Sequence, residues 1–194
     1  MTVSGQVTFD AFGRTVTQKY PVTEPKGANT AFNPNGDSLA PTVTEYDVLD
    51  RVVKTTIPDG TYTTIRYGFG TDRDSVTQFE TLVQDANVNA GLRGAIKYTY
   101  RDVRDLITSV KELNKSGSEI IWTSYNYDPL KQIVEVKDDQ GNLTKVSYDN
   151  FGRRTGIDNP DTGLTEFGYD LASNLTSKVT ANLKSQNQAL TYDY

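Results

Sequence analysis

The chain has 194 residues, with 25 acidic and 20 basic side chains and a net charge of −5. It contains no cysteine and no histidine, which excludes disulfides, thiolate catalysis, zinc–sulfur sites and the serine–histidine–aspartate relay. A net acidic chain lacks the positive field that nucleic-acid binding requires, and no apolar run approaches the roughly 20 residues that span a bilayer. Threonine (26 residues), valine (17) and tyrosine (12) are abundant instead, a composition typical of β-strands.

An aromatic residue followed by aspartate recurs along the chain and opens each copy of an internal repeat. In chain order these pairs are Phe9-Asp10, Tyr46-Asp47, Tyr127-Asp128, Tyr148-Asp149, Tyr169-Asp170 and Tyr192-Asp193. Tyr67 falls in the same series, and Tyr100 begins a degenerate copy. Three of the steps between successive tyrosines of the series are 21 residues long. A fixed spacing of this kind is the signature of a repeat architecture.

Each repeat predicts a β-hairpin, because alternating residues flank a turn rich in glycine, aspartate and asparagine. In the copy that begins at Tyr127, Val134 and Val136 alternate with polar residues, which indicates a strand with one buried face. The turn that follows contains Gly141, which accepts a positive φ without steric cost. Gly60 and Gly163 occupy the corresponding turns of two other copies. The repeat is therefore predicted to be one strand, one turn and one returning strand.

The segment after each aromatic residue is predicted to link one hairpin to the next. Gly13 and Gly152 permit a tight bend, and Asp10 and Asp149 can accept hydrogen bonds from backbone amides there. An arginine follows in three copies, at Arg14, Arg51 and Arg153. We expect each tyrosine ring to pack over the neighbouring hairpin, with its hydroxyl on a polar partner. Because a 21-residue hairpin cannot bury its own face, the hairpins are predicted to stack side by side in one all-β, antiparallel array.

Two regions interrupt the spacing. Residues 21–45 are rich in proline and asparagine and are predicted to be an inserted loop. Residues 68–97 are predicted to form a lengthened, irregular repeat. Within it, the alternation over 77–83 favours a strand, and a short helix is the alternative. We treat residues 1–194 as one repeat segment.

The repeated Tyr-Asp pair, the Phe-Gly-Arg that follows it at 12–14 and 151–153, and the 21-residue spacing resemble the Rhs or YD-repeat family. The resemblance covers nearly the whole chain. It implies that the hairpins form a curved or spiralling sheet which, in longer members, closes into a hollow shell. Such members include bacterial Rhs proteins, the B and C subunits of insecticidal Tc toxins, and the animal teneurins.

The same resemblance implies a structural function. In the bacterial members the shell encloses a toxic C-terminal domain, and a core segment at the end of the repeats cuts this domain free. The Asp-Pro-x-Gly-Leu motif of that segment does not occur here, so no protease residues are assigned. Six or seven hairpins are too few to close a shell, and we therefore expect a fragment of a much larger protein.

The expected function is a non-catalytic wall segment without cofactor or metal. Its expected partners are the remainder of the parent shell and an enclosed C-terminal toxin or effector. The resemblance implies a secreted or cell-surface location, although the chain carries no signal peptide at its start. Exposed sheet edges also predict edge-to-edge self-association.

Other functions stay open at this point. Exposed tyrosines could bind carbohydrate, as an adhesion module would, although a tyrosine at a fixed place in every repeat is explained by the architecture. Two pairs of carboxylates, Asp138 with Asp139 and Asp158 with Asp161, could in principle serve glycoside hydrolysis. All four residues lie at predicted turns, where aspartate is common for conformational reasons. Trp122 follows two isoleucines and is predicted to belong to the core.

Overall fold

The computed structural model of the chain describes residues 2–3, 5–23, 38–91, 94–113 and 119–194. Most of the predicted inserted loop lies outside these residues. No helix among them is long and apolar enough to cross a membrane.

The described residues form seventeen strands and two short helices. The elements are β1 (Thr2–Val3), β2 (Val7–Phe9), β3 (Thr15–Gln18), β4 (Val22–Thr23), β5 (Thr42–Tyr46), β6 (Val52–Thr56), β7 (Tyr62–Thr71), β8 (Thr77–Gln84), α1 (Ala86–Asn89), β9 (Ile96–Arg101), β10 (Ile107–Leu113), β11 (Ile120–Tyr127), β12 (Ile133–Lys137), β13 (Leu143–Tyr148), β14 (Arg154–Asn159), β15 (Gly163–Tyr169), β16 (Leu175–Val179), α2 (Ala181–Ser185) and β17 (Leu190–Thr191). The segment over 77–84 is therefore a strand, as the alternation favoured, and α1 lies in the connection after it.

Fifteen of the strands follow one another in a single hydrogen-bonded order that repeats the order of the chain. It runs from β2 and β3 through β5 to β17 without a crossover, while β1 and β4 pair separately. The registered pairs are antiparallel. The predicted all-β hairpin array is confirmed, because the fifteen strands pair in the order in which they occur along the chain.

The register shifts by one residue at the aromatic residue that opens a repeat. The shift occurs at Phe9, Tyr46, Tyr127, Tyr148 and Tyr169. Such a bulge turns the strand locally and increases its twist. The aromatic residue therefore marks the end of regular pairing, and the aspartate after it begins the turn.

Contacts divide the chain into two compact units. Unit 1 contains Met1–Gly68, Glu80–Tyr98 and Glu112–Ile120, and unit 2 contains Phe69–Phe79, Thr99–Lys111 and Ile121–Tyr194. Leu82 is buried in unit 1.

Unit 2 buries Tyr100, Ser109 and Ser124. Trp122 stacks on Tyr100 with ring centroids 5.7 Å apart, so it packs inside the unit. Few side chains in either unit are fully buried, and backbone pairing carries much of the architecture.

Candidate functional site

The repeated feature of the structure is a five-residue turn that begins at an aspartate, called the aspartate turn below. In the copy at Asp149, the Asp149 amide donates to the Arg153 carbonyl at 2.9 Å, and the Gly152 amide donates to the Asp149 carbonyl at 2.9 Å. The Asp149 Oδ1 accepts from the amides of Phe151 and Arg153, both at 2.9 Å. The same pair of backbone bonds, with a carboxylate oxygen on the fifth amide, recurs at Asp10, Asp47, Asp72, Asp102, Asp128, Asp138 and Asp170.

The fourth residue of the turn has a positive φ whether or not it is glycine. Gly13 and Gly152 have φ values of 79° and 76°. Non-glycine residues hold the same position in other copies, at Asp50, Ser75, Asp105, Lys131 and Ser173, with φ between 61° and 68°. An L-residue in this region is strained by about 1 kcal/mol, and the hydrogen bonds of the aspartate offset that strain.

These hydrogen bonds lower the pKa of the turn carboxyls. For Asp47 the main cause is the hydrogen bond from the Arg51 side chain. For Asp149, partial burial acts to raise the pKa, but hydrogen bonds from Arg153 and from the Phe151 amide outweigh it. The pKa of Asp138 is lowered as well, first by its hydrogen bond from the Asn142 side chain. Carboxylates with a lowered pKa are ionised at neutral pH and are poor general acids.

An arginine at the fifth position joins its own turn to the next repeat. Arg153 Nε donates to Asp149 Oδ2 at 2.7 Å, and its Nη1 donates to the Asp170 carbonyl of the following turn at 2.8 Å. The guanidinium carbon lies 4.9 Å from the ring centroid of Tyr169 and 5.2 Å from that of Phe151. The Arg153 side chain therefore makes an ion pair within its own turn and contacts the next repeat at the Asp170 carbonyl, the Ser173 hydroxyl and the Tyr169 ring.

Arg14 makes the same arrangement in unit 1. Its Nε donates to Asp10 Oδ2 at 2.7 Å, its Nη1 donates to Asp50 Oδ1 at 2.6 Å, and its guanidinium lies 4.8 Å from the Tyr46 ring centroid. Arg51 stacks over Tyr67 at 4.2 Å. The arrangement of an arginine over the tyrosine of the next repeat therefore recurs in more than one repeat of the chain.

Glutamine can supply part of this link. Gln132 holds the fifth position in the Asp128 turn, and its Nε2 donates to the Gly152 carbonyl of the following turn at 3.0 Å. The residue type was not singled out from the sequence, because an amide at this position carries no motif of its own.

The tyrosine hydroxyls make the opposite link, towards the preceding strand. Each donates to a backbone carbonyl at 2.9–3.1 Å, and the pairs are Tyr46 with Thr15, Tyr67 with Val52, Tyr127 with Ile107, Tyr148 with Ile133, and Tyr169 with Arg154. Burial raises the pKa of Tyr127, which keeps this hydroxyl protonated as a donor. Tyr46, Tyr67 and Tyr169 also carry an arginine on one ring face, and that face is therefore not open for stacking on a sugar.

The other predicted motif residues lie elsewhere. Gly60, Gly141 and Gly163 have positive φ in the turns at the opposite ends of the strands. Tyr100 is buried against Trp122. The last copy begins with Tyr192, whose amide donates to the Thr176 carbonyl, and Asp193 follows it.

The aspartate turn at Asp72 was missed by the sequence analysis. A threonine precedes Asp72 where the other copies have an aromatic residue, an arginine or, before Asp138, a lysine. Strand β7 also runs several residues past Tyr67 before the turn. The guanidinium of Arg73 in this turn donates to the carbonyls of Asp138 and Asp139, at 2.5 and 3.0 Å. The sequence signal that could have identified this turn is the aspartate that recurs shortly before a strand.

In the acid pair formed by Asp138 and Asp139, both carboxylates accept hydrogen bonds from backbone amides. Asp138 holds its own turn, and Asp139 Oδ1 accepts from the Trp122 amide at 2.9 Å. Among the residues that the structure describes, no group of three or more acidic side chains is arranged to hold a metal ion.

Aspartate turns, arginine links and tyrosine links that recur along an antiparallel sheet define a β-hairpin repeat protein. The family model "RHS Repeat" matches residues 127–164. This range includes the aspartate turns at Asp128, Asp138 and Asp149, and Gln132 joins the first of them to the third. The resemblance to the Rhs/YD-repeat family that the Tyr-Asp spacing predicted is therefore confirmed by this match.

A curated relative and two solved structures are similar to parts or all of this chain. Over 65 residues the chain is 37% identical to double-stranded DNA deaminase toxin A of Burkholderia cenocepacia (strain H111), a match that covers 33% of this chain and 5% of the relative. The crystal structure of TcdB2-TccC3 matches with a TM-score of 0.68 at 18% identity, and a Photorhabdus luminescens Tc holotoxin pore matches with 0.65 at 17%. Both matches cover 93% of this chain and 9% of the other chain. The chain thus spans less than a tenth of these proteins, and the two structures show a shared fold.

Proposed function

We propose that the chain is a structural wall segment of an Rhs/YD-repeat shell that encloses a toxin or effector polypeptide, and that it is not catalytic by itself. The observation that carries this proposal is the pair of opposed links that recurs in several repeats. The tyrosine hydroxyl holds the preceding strand, and the arginine or glutamine of the turn holds the following repeat. Contacts of this kind extend a sheet by one hairpin at a time and need no separate core.

A wall segment needs a stiff sheet, and it does not need a binding cleft. Backbone ladders supply stiffness across the sheet, and the ion-paired arginines add cross-links at the turns. The threonine-rich composition makes the strand faces moderately polar, which suits an enclosed chain, since a strongly apolar lining would bind it too tightly.

The partners follow from the same proposal. They are the remainder of a parent shell and an enclosed C-terminal polypeptide, in a secreted or cell-surface protein. The curated relative is a toxin, and the matched structures are of Tc toxin components. We further propose that residues 1–194 act as one repeat segment, interrupted by the insertion over 21–45 and the irregular repeat over 68–97.

Limited proteolysis of the full-length parent protein tests the wall function. With an intact wall, the enclosed polypeptide should resist a protease that digests it rapidly once the protein is denatured. Replacing both Arg14 and Arg153 with alanine removes two links and should increase the rate at which mass spectrometry detects cleavage of that polypeptide. Arg154→Ala is the control, since Arg154 stacks on Phe167 but makes no link between turns. Cleavage of the polypeptide at the same rate in the native and denatured protein would contradict the proposal.

Carbohydrate binding stays a prediction. The described contacts do not favour it, because an arginine covers one ring face of Tyr46, Tyr67 and Tyr169. A glycan array probed with the purified chain would test it. Self-association through the terminal strands β2 and β17 is likewise a proposal, based on the unpaired backbone groups of edge strands.

A further inference from the structure

The contact of an arginine with the next repeat defines a small binding site. It consists of the aromatic ring that opens a repeat and the backbone carbonyl of the aspartate after it, and it is called the arginine site below. In unit 2, Arg153 stacks over Tyr169 and donates to the Asp170 carbonyl at 2.8 Å. The site therefore offers a π face for the cation and an acceptor for one of its N–H groups.

Unit 1 contains further occupied copies of the arginine site. Arg14 stacks over Tyr46 and donates to the Asp47 carbonyl at 3.3 Å, and Arg51 stacks over Tyr67. In all of these copies the arginine comes from the fifth position of the preceding aspartate turn. The ligand of an occupied site is thus a guanidinium group delivered by a neighbouring repeat.

The first repeat presents the same site without a cation on it. Phe9 opens this repeat and is 62% exposed, and no arginine or lysine among the described residues lies over its ring. The Asp10 carbonyl accepts from the Gly13 amide of its own turn at 3.1 Å. The Asp47 carbonyl accepts a bond of that kind and the bond from Arg14 together, so the Asp10 carbonyl retains the capacity for a second donor.

The strand that carries Phe9 also has an open edge. Strand β2 is the last strand of the fifteen-stranded order and pairs only with β3. All three residues of β2 are exposed, whereas every residue of the internal strand β6 is half-buried. An edge strand offers unpaired backbone groups to a further strand. A partner that places an arginine on Phe9 would therefore also extend the sheet.

We propose that Phe9 and Asp10 form a docking site for an arginine from another β-hairpin of the same repeat type, whose returning strand pairs with β2. This inference rests on the shell function proposed above, because it names the contact that the remainder of the shell makes at this edge. The occupied copies select the partner, since each holds an arginine from an aspartate turn. A second copy of this chain does not supply it, because its last complete turn has Asn174 at the fifth position, and Asn174 donates to its own Asp170.

A chimeric chain tests the site, with a copy of residues 143–163 placed directly before residues 4–194. The copy is in register because Tyr169 follows Gly163 by six residues, as Phe9 follows Val3. The copied Arg153 should then lie over Phe9. Hydrogen exchange of residues 7–12, measured by mass spectrometry, should become at least about tenfold slower than in the original chain.

Substitutions within the chimera separate the arginine contact from simple strand addition. Arg153→Ala in the copy should restore about tenfold of the exchange rate, because it removes a stacking contact and a hydrogen bond. Arg154→Ala in the copy is the matched control, since Arg154 stacks on Phe167 in unit 2 and would meet Val7 in the chimera. Phe9→Leu should reproduce the effect of Arg153→Ala, and the two changes together should add nothing further.

A second chimera guards against a copy that does not fold. It places residues 42–61 before residues 4–194 and brings Arg51 into the same register. The inference is overturned if neither added hairpin slows exchange of residues 7–12, or if the protection is equal with and without the copied arginine. Protection of the original chain that rises with concentration and is lost with Phe9→Leu would assign the site to a second copy and would also overturn it. Enclosure of a toxin is tested separately, by proteolysis of the parent protein.

Discussion

Replacement of Arg153 by alanine removes the link between two aspartate turns while leaving each turn able to form. The side chain is ion-paired with Asp149, donates to the Asp170 carbonyl and stacks over Tyr169. The turn at Asp149 keeps its two backbone bonds and both amide bonds to the carboxylate. The substitution therefore lowers the stability of unit 2 mainly through coupling between its repeats.

The magnitude follows from the contacts that are lost. A partly exposed ion pair contributes up to about 1 kcal/mol, a hydrogen bond to a carbonyl about 1 kcal/mol, and a cation–π contact about 0.5–1 kcal/mol. These terms share one side chain and are not fully additive, so we expect a loss of about 2 kcal/mol in the free energy of unfolding. For a chain of this length the melting temperature should fall by about 4–8 °C.

Urea denaturation followed by the fluorescence of Trp122 measures the loss. Trp122 is the single tryptophan of the chain and lies in the same unit as Arg153, so its signal reports the affected part. Arg153→Lys keeps the charge but cannot contact Asp149 and Asp170 through a planar fork, and we expect it to recover about half of the lost free energy.

Arg154→Ala is the matched control, because it removes the adjacent arginine and a single stacking contact with Phe167. It should cost about 0.5 kcal/mol. If Arg153→Ala and Arg154→Ala destabilise the protein equally, or if Arg153→Ala changes the free energy of unfolding by less than about 0.5 kcal/mol, the proposed link between repeats is refuted.

Three further predictions concern the tyrosine links, the buried hydroxyls and the turn carboxyls. Tyr148→Phe should cost about 1 kcal/mol, since it removes the hydrogen bond to the Ile133 carbonyl, whereas Tyr194→Phe at an exposed position should be neutral by the same urea assay. Ser109→Ala should raise the melting temperature by a few degrees, because the buried Ser109 Oγ has no hydrogen-bond partner among the described residues; a lower temperature would contradict this. The pKa values of turn carboxyls such as Asp47 and Asp149 are lowered on folding, so their contribution is complete above the unfolded value near pH 3.9 and is lost as the pH falls through the folded value. Circular dichroism should therefore show decreasing stability below about pH 4, and equal stability at pH 3 and pH 6 would contradict the assignment.

The sequence was sufficient to predict the turns because their chemistry is local. An aspartate that bonds amides two and four residues ahead can be inferred from Asp10 or Asp149 alone. Glycine was less informative than expected. Asp50 and Lys131 adopt the same left-handed conformation as Gly13, so a search restricted to Asp-x-x-Gly would miss their turns. The carboxylate, and not the glycine, is the shared requirement.

Contacts between distant segments could not be predicted. Arg73 reaches the carbonyls of Asp138 and Asp139 across 65 residues of sequence, and carbonyl groups carry no sequence signal. The stacking of Arg153 on Tyr169 depends on the register of two hairpins, which the spacing of 21 residues predicts only approximately. Helix α2 follows the Thr180 cap, where the repeat pattern alone indicated only a turn.

The fifth position of the aspartate turn controls coupling between repeats separately from the turn itself. Arg153 and Gln132 reach forward to the next turn, whereas Asn174 folds back and donates to its own Asp170 at 2.9 Å. All three turns nevertheless have the same backbone hydrogen bonds. Because the aspartate fixes the fold of the repeat and another residue adjusts how tightly neighbours are joined, the architecture tolerates wide sequence change. This separation gives a physical reason why a fold can match at a TM-score of 0.68 with 18% identity.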